Sequence, residues 1–273
     1  MVAVKSQYTY DDSVAATSVY TLFDAEVVEE LTHDHLVRLA AGVVGALQIK
    51  NFFTTAECTA IVDGVNAAEM GSYAFTPPIA KLGPAAYDFY KTGELGDAYF
   101  DNAERDAKAR ATLLDGEDPL GTAMDRLSAA WGNRVQRATS GGRPMYAGMI
   151  REINNSALMH FDEIARECPT GLDQIPVAQL AFNCHLSKPD GGGEAVVFRR
   201  GWKPSDEAHR DGYGYATYLT ESEPSVSVNP DVGDAIMFDP RNYHLVTPCT
   251  GGRRITLSFF VGLTGAGPLV VWS

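Results

Sequence analysis

Apolar positions change their spacing near the middle of this chain. Up to about residue 140 they recur at three- and four-residue steps, the period of one helix face. Beyond Gly141-Gly142 they fall into short blocks separated by Gly and Pro clusters. In the first half, Leu22, Val27, Val28, Leu31, Leu36 and Leu39 predict a helix over 21–42, after a loosely packed arm over 1–20. VGALQIKNFF reads as a short strand. Thr54-Thr55-Ala56-Glu57 follows it as a capping box, in which Thr54 and Glu57 satisfy the first free amides of a helix burying Ile61, Val62 and Val65. Residues 70–102, rich in Gly, Pro and Tyr, read as loops over a core, and 103–138 as helix broken near Gly116 and Pro119.

The second half reads as strands: YAGMIREI, VAQLAFNCHLS, EAVVFRR, DAIMFD, RRITLSFFVGL and PLVVWS. Many short strands with such turns predict a sandwich or barrel. The sum is an α+β protein, with a mainly helical part over 1–140 packed on an antiparallel double sheet over 141–273. No linker separates the halves, so 1–273 reads as a single domain.

One strand-like run carries unexpected polarity. In ALMHFDEI, residues 157–164, His160 and Asp162 stand two apart. In a strand, i and i+2 point to one face, so these two would aim together while Phe161 packs behind and Glu163 stays solvated. An imidazole and a carboxylate on one face make two legs of a metal site. His244, after the DAIMFD strand and before a turn, is the best third leg. Two His and one carboxylate leave open positions on Fe(II), although zinc hydrolases use the same set. Ten residues on, Arg254 shares a face with Thr256 and Ser258, opposite Ile255, Leu257 and Phe259. A buried guanidinium beside hydroxyls suits a distal carboxylate, which a zinc hydrolase does not need. Arg253 is the competing clamp.

Here the chain resembles the Fe(II)/2-oxoglutarate-dependent oxygenases. The resemblance rests on His160-x-Asp162, His244 and Arg254-x-Thr256. Gly192-Gly193-Glu194 before a strand, and Pro230-Asp231-Val232-Gly233-Asp234 before the strand leading to the distal His, support it. It implies a double-stranded β-helix (a cupin-like jelly roll). It assigns His160, Asp162 and His244 to iron, and Arg254 with Thr256 to the C5 carboxylate of 2-oxoglutarate, with Ser258 on the same face. GGGEAVVFRRGW and the terminal VVWS are similar to the carrier-protein-independent halogenases acting on indole alkaloids. Those enzymes carry Gly in place of the triad's carboxylate, leaving room for chloride. Asp162 fills that place here, so the resemblance implies hydroxylation of a freestanding small molecule, with O2 as oxidant and succinate and CO2 released. Desaturation, epoxidation or cyclisation on the same site, and a non-catalytic metal-anchored jelly roll, are the rivals. The substrate is open among amino-acid derivatives, nucleosides, alkaloids and terpenoids.

Neighbouring positions complete the expected site. Gln179, Asn183 and His185 share one face of their strand, and Asn183 is a candidate for the co-substrate pocket. Met149, Ile150 and Arg151 approach the His160 strand. Tyr73 to Tyr90, and 202–219 with Trp202, Tyr213 and Tyr215, read as lids. His33-Asp34-His35 lies in helical context, where i and i+2 diverge by about 200°, so it reads as a solvated face. His209-Arg210-Asp211 lacks the partners of a kinase loop.

Composition narrows the partners. The formal net charge of −13 argues against nucleic acid and against an anionic membrane surface. No apolar run approaches the roughly 20 residues that span a bilayer. MVAVKSQYTYDD has no basic segment leading into an apolar one, so the chain reads as cytoplasmic. Cys58, Cys168, Cys184 and Cys249 lack CxxC spacing and read as reduced thiols. The oligomeric state is not legible.

Overall fold

The computed structural model describes residues 23–68, 70–73, 79–87, 95–169 and 171–273. Two sheets face each other. The larger runs, in spatial order, Ala25–Val28, Ala46–Ile49, Ala235–Phe238, Ala178–Gly191, Thr250–Leu263, Met149–Glu152, Ala80–Leu82 and Gly71–Ser72. Leu269–Trp272 pairs with Thr250–Leu263 and with Val135–Arg137. The smaller sheet runs Ser225–Val228, Ala195–Gly201, Asn242–Val246 and Ala157–His160. Between them pack Ala181, Ala195, Val197, Val226, Ile236 and Phe238.

The outer face of the larger sheet is apolar because its strands alternate. Leu180, Phe182, Cys184 and Leu186 share one core with Ile255, Leu257, Phe259 and Val261. Onto this face pack Leu36 and Leu39 of helix His33–Ala40, and Ile61 and Val65 of helix Thr55–Ala67. Ala123 and Leu127 of helix Pro119–Trp131 complete the layer. Burying each such large side chain contributes about 1.5–3 kcal/mol, which makes this layer the main stabilising unit. The Thr54 capping box forms as expected, with Glu57 N–H donating to Thr54 Oγ1 at 3.2 Å and Thr54 N–H to Glu57 Oε2 at 2.7 Å.

Several elements differ from the sequence reading. The helix expected over 21–42 is a strand, Ala25–Val28, followed by a helix confined to His33–Ala40. Val27 is 60% exposed, so the apolar spacing had joined two elements. Thr32 interrupts them as an N-cap, accepting from His35 N–H at 3.4 Å. Leu22 and the arm over 1–20 lie outside the described residues. The helical reading of 103–138 is two helices, Asp97–Arg110 and Pro119–Trp131, and a strand, Val135–Arg137. Pro119 opens the second helix at its first turn, where a missing N–H costs nothing, instead of breaking one. Within 70–102, expected as loops, Gly71–Ser72 and Ala80–Leu82 pair as strands, and 74–78 and 88–94 lie outside the described residues. The N-terminal half therefore adds strands to the large sheet as well as helices.

Candidate active site

Each proposed ligand sits where the small sheet can present it. His160 ends the edge strand Ala157–His160 and lies directly opposite His244 in register. His244 stands inside its own strand, Asn242–Val246, and not in the approach to a turn as the sequence suggested. Asp162 also lies beyond the strand, not within it. Its N–H donates to Pro240 O at 2.9 Å, which keeps the chain beside the sheet for two more residues. Phe161 turns away into an aromatic cluster, 5.7 Å from Trp202, 5.8 Å from Tyr215 and 6.0 Å from Tyr243 between ring centroids.

Three side chains converge as a result. Asp162 Oδ2 is 3.7 Å from His160 Nε2 and 3.4 Å from His244 Nε2. The three donor atoms lie within 4.8 Å of one another, the one such group of His, Cys, Asp or Glu among the described residues. His160 Nδ1 is 2.6 Å from Leu158 O, and His244 Nδ1 is 3.0 Å from Asn242 O. A carbonyl only accepts, so both rings carry their proton on Nδ1 and leave Nε2 for a metal. Burial and the adjacent His244 lower the His160 pKa to about 4, so it is neutral at physiological pH. Burial pushes the Asp162 carboxyl upward, but His160, His244 and Arg151 outweigh it and hold it below its ordinary value. Two imidazoles that present Nε2 and one carboxylate fit a divalent metal.

The large sheet supplies the opposing wall. In register across three strands lie His185, Thr256 and Arg151, and beside them Asn183, Ser258 and Met149. Arg254 is 3% exposed, its Nε donating to Gly193 O at 3.0 Å. Burial and the nearby Arg151 lower its pKa to about 10. Among the described residues no carboxylate pairs with it. Arg253 instead forks onto Glu152, at 2.8 and 2.6 Å, on the other face, which removes it as the clamp. The Gly192-Gly193 turn is obligatory here, with φ of +71° and +78°. A Cβ on Gly192 would stand 1.9 Å from Pro248 O.

A cavity of about 270 Å³ joins the two walls. His160, Asp162, His244, Arg254, Ser258 and Asn183 all line it. Thr256 is fully buried behind it, its Oγ1 2.9 Å from Ser258 Oγ. His185 is buried in the same face, and both its ring nitrogens lack partners. Burial, then the charge of Arg254, drives its pKa well down. An unmatched buried guanidinium beside unsatisfied donors fits an oxygen-rich dianion such as 2-oxoglutarate.

Of the expected border residues, Met149 and Arg151 line the cavity, while Ile150 turns into the core. Tyr213 and Tyr215 line it; Trp202 stacks on Arg166, whose Cζ is 3.4 Å from the ring centroid. Two functions escaped the sequence reading. Gln179 accepts from Ile164 N–H at 3.0 Å and donates to Asp162 O at 3.3 Å, so it fixes the segment carrying Asp162. Glu207 accepts from Arg210, Tyr215 and Trp202 at the cavity rim. His33 stacks on Trp131 at 4.4 Å and His35 caps its helix, so neither joins a metal site.

Comparison with known proteins decides the family. The model of the family "Carrier-protein-independent halogenase WelO5" matches residues 19–267. The chain belongs to this family. It is 40% identical over 265 residues to the L-gamma-glutamyl-L-propargylglycine hydroxylase of Streptantibioticus cattleyicolor, spanning 94% of this chain and 98% of that protein. It is 31% identical over 192 residues to the leucinostatins biosynthesis cluster protein S of Purpureocillium lilacinum, covering 64% and 79%. In fold it is similar to an N-substituted L-amino acid dioxygenase of Burkholderia ambifaria, solved with alpha-ketoglutarate. The TM-score is 0.59 and the identity 16%, over 88% of this chain and 90% of that one. The fold is accordingly the jelly roll. The protein is a non-haem Fe(II)/2-oxoglutarate-dependent dioxygenase that hydroxylates a small molecule with O2. The non-catalytic reading falls away. No helix among the described residues is long and apolar enough to cross a membrane.

Proposed function

We propose that His160, Asp162 and His244 hold the iron, that Arg254 with Ser258 and Thr256 receives the far carboxylate of 2-oxoglutarate, and that the substrate is an amino-acid derivative. The observation that carries this reading is the convergence of two imidazoles and a carboxylate within 4.8 Å, in one cavity with a buried arginine that no carboxylate among the described residues pairs. The substrate class draws on the relative that hydroxylates a γ-glutamyl amino acid.

When bound, iron supplies the redox chemistry that splits 2-oxoglutarate with O2 into succinate and CO2 and places one oxygen atom in a C–H bond. The residues supply everything around that chemistry. The carbonyls of Leu158 and Asn242 hold the two Nδ1–H groups, so both rings keep one tautomer and one orientation. Asp162, kept ionised, contributes the negative charge. Arg254 orients the co-substrate through its fork and leaves the other end free. Thr256 and Ser258, bonded to each other, present hydroxyl oxygen beside it. Asn183 orients Arg151, accepting from its Nη2 at 2.8 Å. Phe161 and Tyr215 line the cavity, with Trp202 packed behind them in the same apolar cluster.

We read 1–273 as one oxygenase domain acting in the cytoplasm, without nucleic-acid or membrane partners. The charge of −13 supports the absence of both, and a core shared by residues of both halves supports the single domain. Succinate release with Fe(II), 2-oxoglutarate and γ-glutamyl or N-substituted amino acids tests the function. Anaerobic addition of Fe(II) and 2-oxoglutarate is expected to give a visible charge-transfer band. Absence of both would overturn the assignment.

A further inference from the structure

The cavity is far more cationic than the protein that contains it. Four arginines line it, Arg151, Arg166, Arg210 and Arg254, against two side-chain carboxylates, Asp162 and Glu207. The whole chain carries −13. Two of these arginines are already engaged. Arg210 pairs with Glu207 at 3.0 Å, and Arg166 lies on Trp202 with Glu163 at 3.9 Å. Arg151 and Arg254 have no carboxylate partner among the described residues.

Charge matching then leaves one of them over. On the proposed reading, Fe(II) is balanced by Asp162 and one carboxylate of 2-oxoglutarate, and Arg254 by the other. Arg151 is left unmatched. It is also incompletely bonded. Its Nη2 donates to Asn183 Oδ1 at 2.8 Å, while its Nε is buried without a partner. It lines the same cavity as His160, Asp162 and His244. Arg151 is half-buried, and a guanidinium that faces a cavity without a carboxylate partner favours an anion that reaches it.

The opposite charge is missing from the wall. Glu207 is occupied by Arg210, Tyr215 OH at 2.6 Å and Trp202 Nε1 at 2.9 Å. Asp162 belongs to the metal. Among the described residues, no side-chain carboxylate in the wall is left to receive an ammonium group.

We propose that Arg151 is the substrate's carboxylate anchor, so that the enzyme selects amino-acid derivatives by a carboxylate held beside the iron and not by their amine. This rests on the co-substrate assignment of Arg254 and goes beyond it.

The test is equilibrium binding to Mn(II)-loaded enzyme without oxygen, comparing wild type, Arg151→Met, Arg151→Lys and Arg254→Met. The probes are 2-oxoglutarate, then, with it bound, L-γ-glutamyl-L-propargylglycine and its two mono-carboxamides. Truncating one partner of a buried charge pair costs roughly 30-fold or more. Arg151→Met is therefore expected to weaken the dipeptide by at least about 30-fold and 2-oxoglutarate by less than about 3-fold, with Arg151→Lys intermediate. In wild type, one of the two carboxamides is expected to lose as much, and Arg151→Met is expected to abolish that discrimination. Unchanged melting of the Lys variant excludes misfolding. Loss of 2-oxoglutarate affinity in Arg151→Met would assign Arg151 to the co-substrate and overturn the proposal. So would equal binding of both carboxamides, or no dipeptide binding by an enzyme that binds 2-oxoglutarate. Unaltered 2-oxoglutarate affinity in Arg254→Met would instead overturn the co-substrate assignment.

Discussion

On the Thr250–Leu263 strand, Ile255, Leu257, Phe259 and Val261 turn toward the helices, while Arg254, Thr256 and Ser258 turn toward the second sheet. The first face is closed: every side chain has apolar neighbours and none needs anything further. The second face is incomplete. Among the described residues, Arg254 has no carboxylate, and the His185 nitrogens and Arg151 Nε across the sheet have no partner. One strand thus carries both the stability of the fold and the unmet polarity of the site, separated only by the two-residue period. Adjacent residues make the point most sharply, since Arg253 is forked onto Glu152 and half exposed while Arg254 is buried and unmatched.

Mutations can break this division or sharpen it. The largest effect is expected at the metal wall opposite. Asp162→Gly removes a proposed ligand and should lower hydroxylation, followed as succinate-coupled product, by more than the roughly 100-fold that losing a supporting outer group costs, with melting little changed. Unchanged hydroxylation would remove Asp162 from the ligand set. On the closed face, Leu257→Ala should cost about 2–5 kcal/mol in denaturant unfolding, while 2-oxoglutarate affinity per folded molecule stays the same. On the open face, Arg254→Met should reverse that pattern. Its 2-oxoglutarate Kd should rise by roughly 30-fold or more, yet the apoprotein should melt no lower, because an unmatched buried charge is removed.

Acid should act on the open face too. His160 and His185 have folded pKa values below the unfolded value near 6.5, so the unfolded chain takes up protons that the folded chain refuses. Stability of the metal-free protein is therefore expected to fall as pH drops from about 6.5 toward 4, by up to about 3 kcal/mol from His160. Unfolding midpoints at pH 7.5 and 5 check the sign. The smallest effect belongs to Arg253→Ala. This half-buried pair lies on the helix side of the sheet and should contribute about 1 kcal/mol, and 2-oxoglutarate affinity should not move.

The site was more legible than the elements around it. His160, Asp162, His244 and Arg254 stand out because imidazole, carboxylate and guanidinium are rare within apolar strands, and alternation gives their common face. The helix expected over 21–42 failed for a different reason. Val27 and Val28 belong to an edge strand and Leu36 and Leu39 to a helix, yet their spacing mimics one helical stripe. Gln179 was placed on the face of Asn183 and His185, but its role gave no signal. Its role depends on Asp162 O and Ile164 N–H, which reach it only through the fold.

Sequence alone determined the alternation of the strands, the capping box at Thr54 and the identities of the chemical groups, because these depend on residue type and near-neighbour spacing. Tertiary structure decided which groups meet. The register of Ala157–His160 against Asn242–Val246 sets His160 opposite His244, and three-strand pairing puts Arg151 beside Thr256 and His185. Such meetings, between residues about a hundred apart in the chain, are fixed by strand order and register. So is the charge left unmatched at Arg151, which no stretch of sequence displays because it is a sum over a cavity.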